Sequence, residues 1–316
     1  MKILIIRLSS LGDIILTEPI VRYLRESYPE AEIDYVTKPQ FLELVMLMGH
    51  EINGIAYEKT AAFHLELGRK GYDLVFDLHG KLSSYLLRIF ARGKRSAVYF
   101  KDRRTRKRIA NGNKNLAISS TVELYGTALK KLSFEAKLDA PKISAPAGIS
   151  FDNLSKMAKR ILIFPGALHE TKRYPAVYYK ELIKMSPEDY QFIILGSNAE
   201  RELAASICED ERTLDLCGQL NLLDLVALID TADWVISSDS GPMHIAAALG
   251  KKQIAIFGAT HPRLGFAPQN PRAEVLVANL PCQPCSLHGG AECPKKHFNC
   301  MHKIKISSVL DIITKD

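Results

Sequence analysis

Four short segments combine residue types able to do chemistry with glycines that let a ligand approach the backbone. The first, Arg7-Leu8-Ser9-Ser10-Leu11-Gly12-Asp13, follows an apolar run and precedes a stretch of helical character from Ile14 to Arg25. Glycine there permits a tight turn and close approach, and Ser or Asp can cap the helix. A carboxylate at a helix N-terminus is held ionised by the dipole, which suits Asp13 to take a proton from an incoming hydroxyl. A plain helix cap has the same signature, so spacing alone leaves both roles open.

The second segment, Ser237-Ser238-Asp239-Ser240-Gly241-Pro242-Met243-His244, ends a strand-like run over Asp233 to Ile236 and opens a helix over Ile245 to Leu249. A capping Asp or Ser, a Gly and a Pro in the first turn expose backbone N–H donors, an anion site matched to a diphosphate. His244 can donate to a phosphate oxygen there, although a lone His at a helix start is often structural. Asp239 can accept from a ribose hydroxyl or orient a phosphate-binding group. The third segment is Phe164-Pro165-Gly166-Ala167 with Thr171, Lys172 and Arg173, offering a hydroxyl and two cations to negative charge. The fourth, Asp77-Leu78-His79-Gly80-Lys81, follows the run Leu74 to Phe76; His79 alone fits a structural role equally well.

A cysteine-rich stretch, Cys282, Cys285, Cys293 and Cys300 with His288, His297 and His302 interspersed, suggests structural zinc more readily than disulfides in a cytosolic protein. Its spacing departs from paired C-x2-C ribbons, so the stretch also reads as free thiols, as do Cys208 and Cys217. There is no D-x-D pair to hold a metal against a diphosphate and no G-x-G-x-x-G after the first strand. Helix dipoles and basic side chains then have to neutralise a leaving diphosphate, and no metal or cofactor is assigned to the reacting centre.

All four segments begin where an apolar run ends. Runs at Ile3–Ile6, Ile33–Val36, Leu74–Phe76, Ile161–Phe164, Phe192–Leu195, Trp234–Ile236 and Ile254–Phe257 alternate with helical stretches. That is the βαβ pattern of parallel sheets covered on both faces, an α/β chain throughout. Leu138 to Ser155, with Pro141, Pro146 and Gly148 and no periodicity, reads as a linker between domains over 1–150 and 151–316. Both domains read as doubly wound, with ligands beyond the carboxyl ends of the strands, facing a cleft.

A length of 316 residues favours two domains, and 47% hydrophobic with 24% charged residues excludes disorder and fibrous repeats. The N-terminus lacks the apolar region of a signal peptide and no stretch is long enough to span a bilayer, which predicts a cytoplasmic protein. The net charge of +7 resides in residues 1–150, which hold 24 Lys+Arg against 16 Asp+Glu. Much of it lies in one run: Lys94, Arg95, Lys101, Arg103, Arg104, Arg106, Lys107 and Arg108. The run suits an anionic partner such as a phospholipid surface, an acidic glycan or nucleic acid, or else a solvated face. Aromatics for stacking bases are not clustered near it, which argues against specific nucleic-acid binding.

These motifs, in this order and over nearly the whole chain, resemble the bacterial lipopolysaccharide heptosyltransferases, glycosyltransferase family nine. The resemblance is carried by Ser9 to Asp13, by Asp77 to Gly80, by Pro165-Gly166-Ala167 with Lys172-Arg173-Tyr174-Pro175, and by Ser238 to Ala248. The Cys282 to Cys300 pattern followed by Met301 adds to it. It implies a GT-B architecture of two Rossmann-like domains, the first binding a lipid-linked glycan acceptor and the second a nucleotide-sugar donor, usually ADP-heptose. The implied reaction is metal-independent inverting transfer, with no obligate protein partner and with the protein peripheral on the inner face of the cytoplasmic membrane. Asp13 matches the catalytic base. Lys172, Asp239, Ser240, Gly241 and His244 match the donor site, and Arg7, Ser10, Gly12 and Lys81 the acceptor side. The last segment, Ser307 to Asp316, is expected to pack back onto the first domain. Ser83 stands where the family often has Arg or Lys, Tyr174 replaces the usual Trp, and Ala167 and Leu168 supply no hydroxyl. Other readings are a nucleotide-sugar epimerase on the same fold, or a non-enzymatic anion- or RNA-binding protein.

Overall fold

The computed structural model describes residues 1–151, 154 and 159–315. The chain opens as β1 (Lys2–Ile6), α1 (Leu11–Ile15), α2 (Glu18–Ser27), β2 (Glu32–Thr37), α3 (Leu42–Met46), β3 (Asn53–Ala56) and α4 (Ala61–Arg69). It continues as β4 (Leu74–Asp77), α5 (Leu82–Ala91), β5 (Arg95–Val98), α6 (Arg103–Ala110) and α7 (Thr121–Lys131). These strands form a parallel sheet in the order β3-β2-β1-β4-β5. β1 is central because four of its five residues are apolar and fully buried, as a strand covered on both faces must be. Ile3–Ile6 lie beside Ile33–Val36 on one side and Leu74–Asp77 on the other.

The helical stretch expected from Ile14 to Arg25 is two helices. Thr17 ends the first turn, its hydroxyl donating to the Ile14 carbonyl at 2.6 Å, and Pro19 then opens α2 from its N-terminal turn. Proline has no N–H and clashes with a preceding turn, so the helix restarts there.

The remaining elements are β6 (Lys159–Phe164), α8 (Ala176–Met185), β7 (Tyr190–Ile194), α9 (Arg201–Ile207), β8 (Thr213–Asp215), α10 (Leu222–Asp230) and β9 (Trp234–Ser238). They end with α11 (Gly241–Ala248), β10 (Gln253–Phe257), β11 (Ala273–Val277), α12 (Asn299–His302) and α13 (Ile306–Thr314). The second sheet is also parallel, in the order β11-β10-β9-β6-β7-β8. The α/β class with two doubly wound sheets is therefore the observed one.

The chain divides into two compact units, Met1–Asp102 with Ser119–Ser144, and Arg103–Ile118 with Ala145–Asp316. The first unit is thus not a single piece of chain over 1–150. Arg103–Ile118 belongs to the second unit because its contacts lie there. The Ile118 N–H donates to the Arg263 carbonyl at 3.1 Å, Arg263 donates to the Lys114 carbonyl at 2.5 Å, and the Arg106 guanidinium lies 4.5 Å from the Phe266 ring centre. The basic run is consequently divided between the two units.

The C-terminal helix also departs from expectation. Ile306, Val309 and Ile313 of α13 join the core of the second unit with Tyr179, Leu182 and Ile183 of α8. Burying such side chains contributes about 1.5 to 3 kcal/mol each, which holds the helix on its own unit. Among the described residues no helix is long and apolar enough to cross a membrane.

Candidate active site

In each sheet two adjacent strands send the chain in opposite directions along the sheet, β1 and β4 in the first unit and β6 and β9 in the second. Loops leaving such neighbours part above the strand ends and open a crevice there. All four chemistry-bearing segments leave these four strands.

In the first unit, Asp13 sits in the first turn of α1 and reaches back to its start. Its Oδ2 accepts from the Ser10 backbone N–H at 3.3 Å and the Ser10 hydroxyl at 2.8 Å, and meets the Arg7 guanidinium at 2.5 Å. Its Oδ1 accepts from the Tyr125 hydroxyl at 3.2 Å. Cap and candidate base are therefore the same carboxylate, and the side chain stays 26% exposed. Arg7 is 6% exposed, donates also to the Leu78 carbonyl at 2.6 Å, and lies 5.5 Å from the Tyr125 ring centre. Burial works against its charge, but Tyr125 and Asp13 outweigh that and raise its pKa. Arg7 is thus held against Asp13 with little of its side chain exposed. Ser10 is exposed, while Gly12 is buried inside α1.

The β4 loop supplies the other wall. Asp77 is buried and accepts from the His79 and Gly80 backbone N–H groups at 2.9 and 2.7 Å, which shapes the turn. Gly80 has φ of +59°, which favours glycine, whereas a Cβ there would meet only the flexible end of Lys101, its Cε at 2.8 Å. His79 is buried with no partner for its Nδ1; burial, with Arg7, Lys81 and Lys101 nearby, pushes its pKa down to about 3. It is a neutral imidazole in a cationic surrounding. Lys81 is exposed and caps α5. Sequence reasoning missed Tyr99 and Tyr125 here, and read Lys101 only as part of the basic run. The Tyr99 and Tyr125 rings meet edge to face at 4.8 Å, and the Lys101 ammonium lies 5.5 Å from the Tyr99 ring centre. No local pattern marks them, since they come from β5's exit and α7.

In the second unit, β6 leads into the turn carrying Lys172 and β9 into Asp239. The Lys172 ammonium meets the Asp239 Oδ2 at 2.9 Å, and the Thr260 hydroxyl donates to the same oxygen at 2.8 Å. Ser240 caps α11, its hydroxyl donating to the Ser238 carbonyl at 3.2 Å, and Gly241 and Pro242 open the helix. His244 is buried one turn in. The Ser237 and Ser238 hydroxyls, on opposite faces of the strand end, are fully buried without partners. Beside it is a cavity of about 340 Å³ lined by Gly166, Ala167, Gly196, Asn221, Ser240 and Pro242 among others. Its lining includes Ser240, but not Lys172, Asp239, Gly241 or His244. Gly166 is needed because a Cβ there would lie 2.4 Å from Glu200 Cγ, whose carboxylate is fixed by the Ser197 N–H and hydroxyl at 2.8 and 2.5 Å.

Two neighbours expected to meet a ligand are committed elsewhere. The Thr171 hydroxyl exchanges hydrogen bonds with the Gly290 carbonyl and N–H, at 3.1 and 2.8 Å. Arg173 donates to the Ala167 carbonyl at 3.0 Å and pairs with Glu170. Tyr174, where the family often has Trp, is buried and donates to the Ile304 carbonyl at 2.8 Å, so it holds the core.

The cysteines are free thiols, and among the described residues no three His, Cys, Asp or Glu side chains are grouped to hold a metal ion. Cys300 is buried in the second unit's core beside Met301, and Cys282 Sγ lies 3.8 Å from the His297 ring.

The profile of "Glycosyltransferase family 9 (heptosyltransferase)" matches residues 60–296, most of the chain. The chain belongs to glycosyltransferase family 9. It is 26% identical to the lipooligosaccharide heptosyltransferase 2 of Campylobacter jejuni, over 98% of this chain and 97% of that one. Its fold is that of E. coli ADP-heptose LPS heptosyltransferase II, with a TM-score of 0.79 at 24% identity over 99% and 98% of the two chains. E. coli heptosyltransferase WaaC, solved with ADP, matches with a TM-score of 0.77 at 19% identity over 100% and 99%. The family 9 chain described here is accordingly a glycosyltransferase, with the GT-B fold of those enzymes.

Proposed function

We propose that this family 9 glycosyltransferase moves a heptose from ADP-heptose to a sugar hydroxyl of a lipid-linked lipopolysaccharide core acceptor, with inversion at the anomeric carbon. The observation carrying the reading is Asp13, a carboxylate fixed by Arg7, Ser10 and Tyr125 yet partly exposed at the strand ends of the first unit. The names of its relatives supply the sugar and the acceptor class.

The first unit takes the acceptor and the second the donor. Asp13 accepts the proton of the acceptor hydroxyl as that oxygen bonds to the anomeric carbon. The bond from that carbon to the diphosphate breaks on the opposite face, one displacement inverts the centre, and ADP leaves. Lys172, oriented by Asp239, meets the charge developing on the diphosphate, with His244 and the N–H groups of the α11 N-terminus at Ser240 and Gly241. The sequence holds no D-x-D pair, and this set of cations and N–H donors serves in its place, so the transfer step uses no metal. Ser10 and Lys81, with Lys101 added by the structure, meet an acidic acceptor. The enzyme works at the cytoplasmic face of the inner membrane, held there peripherally, where a lipid-linked acceptor is within reach.

The test is transfer from ADP-heptose to a core acceptor in EDTA, followed by product mass and ADP release. Asp13→Asn should lower kcat by about 10³-fold, within the range for loss of a general base, while ADP affinity stays within about twofold. An active Asp13→Asn enzyme removes the base assignment. Activity from UDP- or GDP-sugars alone removes the donor, and activity lost in EDTA and restored by a divalent cation removes the metal-free step. Release of an epimer or free sugar without acceptor points to an epimerase.

A further inference from the structure

The helix that starts at Lys81 is apolar on both sides. On α5, Ser84, Leu87 and Ala91 are buried against the first unit. Leu82, Tyr85, Leu86, Ile89 and Phe90, spaced i, i+3, i+4, i+7 and i+8, face outward with exposures of 75, 47, 41, 50 and 38%. A helix on a globular surface normally turns a polar face to water. α4 packs beside it, with His64 and Phe90 rings 5.2 Å apart, and adds Leu65, 55% exposed. An outward apolar stripe of this length marks an interaction site.

The charges around it name the partner. From Leu78 to Lys101 the sequence has six basic residues, Lys81, Arg88, Arg92, Lys94, Arg95 and Lys101, and no acid. Lys94 pairs with Asp73, and Arg95 donates to the Leu132 carbonyl, so they serve the unit itself. Lys81, Arg88 and Arg92 start, divide and close the apolar stripe. The Arg88 guanidinium lies 5.5 Å from the ring centre of Tyr85. Glu66 is the one acid on α4. Apolar and aromatic side chains interleaved with cations are the composition of a helix lying in the headgroup layer of an anionic bilayer. A second copy of the chain fits poorly, because a two-fold contact would set α5 against α5 and bring like charges together.

We propose that α5, with Leu65 of α4, is the membrane-docking surface of this enzyme, its axis in the plane of an anionic lipid interface. The proposal rests on the reading of a lipid-linked acceptor and gives it a location. α5 begins at the end of the β4 loop, so the element that lies on the lipid is continuous with the wall holding His79, Gly80 and Lys81. The basic run expected to guide the protein to membranes is replaced by a shorter set of cations around an apolar core.

The test is flotation of the full chain with phosphatidylcholine vesicles, with and without 30% phosphatidylglycerol, and with no sugar nucleotide present. Failure of the assigned sugar chemistry would therefore leave the result unchanged. Wild type should prefer the anionic vesicles. Leu82→Ser/Leu86→Ser/Ile89→Ser should bind them at least about tenfold more weakly with an unchanged melting curve, since all three side chains are already exposed. Arg88→Gln/Arg92→Gln should lose most of the preference for phosphatidylglycerol. As an independent readout, Tyr85→Trp places an indole on the stripe of a chain whose own Trp234 is 6% exposed. Its emission should shift to the blue and be quenched by lipids brominated on the acyl chain. Unchanged vesicle binding by the triple serine variant, or an unquenched indole on bound protein, overturns the proposal. So does a wild-type dimer that the triple variant dissolves while vesicle binding persists, which would assign the stripe to self-association.

Discussion

At the switch point of the first sheet the cation is the hidden member of the ion pair, Arg7 being 7% exposed by side chain against 26% for Asp13. At the corresponding point of the second sheet the order is reversed, with Lys172 at 15% and Asp239 at 9%. In both, the hidden partner is tied to the loop after a neighbouring strand, Arg7 to the Leu78 carbonyl beyond β4 and Asp239 to the Thr260 hydroxyl beyond β10. The same architecture thus leaves a carboxylate the more exposed member of the pair in one unit and an ammonium in the other. Which charge is the more exposed follows from which member of the pair is tied to the neighbouring loop. A buried pair is costly to assemble, so its value here lies in fixing the outer group.

The largest effect that would break this comparison belongs to the outer members. Alongside the loss expected for Asp13→Asn, Lys172→Met should lower kcat by about 10² to 10³, the range for removing one preorganised group that stabilises developing charge. Asp239→Asn, which leaves Lys172 in place but loosely held, should cost about tenfold. If Asp239→Asn is the more damaging of the two in steady-state kinetics, Asp239 contacts the donor directly and the roles are not reversed. In the first unit Arg7→Lys should also cost about tenfold in kcat with ADP affinity unchanged. A lysine keeps the charge but lacks the fork that spans Asp13 and the Leu78 carbonyl. Full activity of Arg7→Lys would mean that charge alone suffices.

The contrast also bears on what could be read from the chain. The inner strands β1, β4, β6, β7, β9 and β10 stand out as apolar runs because both their faces are covered, and β2 as one interrupted by the buried Asp34, which is paired with Lys70 and Tyr72. β3, β5, β8 and β11 do not, and all four are sheet edges, where Asn53, Arg95, Thr213 and Glu274 are tolerated because one side meets solvent. Asp13, Lys172 and the Asp239 loop are legible for a related reason, since each lies within eight residues of the end of such a run. Tyr125, Lys101 and Thr260 are not, because they reach the site from elements distant in sequence. The partition of Arg103–Ile118 into the second unit was equally hidden, as it depends on Phe266 and Arg263, more than 140 residues away.

A smaller effect sharpens the electrostatic side of the comparison. His79 is held to a pKa of about 3 by burial and the cations around it, against an ordinary value of 6.5. The unfolded chain takes up a proton near 6.5 that the folded unit refuses, so stability is full above that value and declines as pH falls toward 3. Between pH 7 and pH 5 this amounts to about 2 kcal/mol. His79→Asn should remove about that much of the loss when urea unfolding is compared at the two pH values. Equal losses in variant and wild type would show that His79 carries its proton in the folded unit and that the surroundings of Asp13 are less cationic than the geometry indicates.

The smallest effect isolates a single hydrogen bond. Tyr125→Phe deletes the hydroxyl 3.2 Å from the Asp13 Oδ1 but keeps the ring, which packs on Tyr99 at 4.8 Å and under Arg7 at 5.5 Å. A hydrogen bond of this kind is worth about 0.5 to 1.5 kcal/mol, which predicts a fall in kcat of about 2- to 13-fold. Because Asp13 keeps Arg7 and Ser10 on its other oxygen, the carboxylate stays in place and the loss should appear in kcat, with ADP affinity unchanged. A loss as large as that of Asp13→Asn would instead make Tyr125 a member of the reacting set. No loss would mean that Arg7 and Ser10 alone define the position from which the proton is taken.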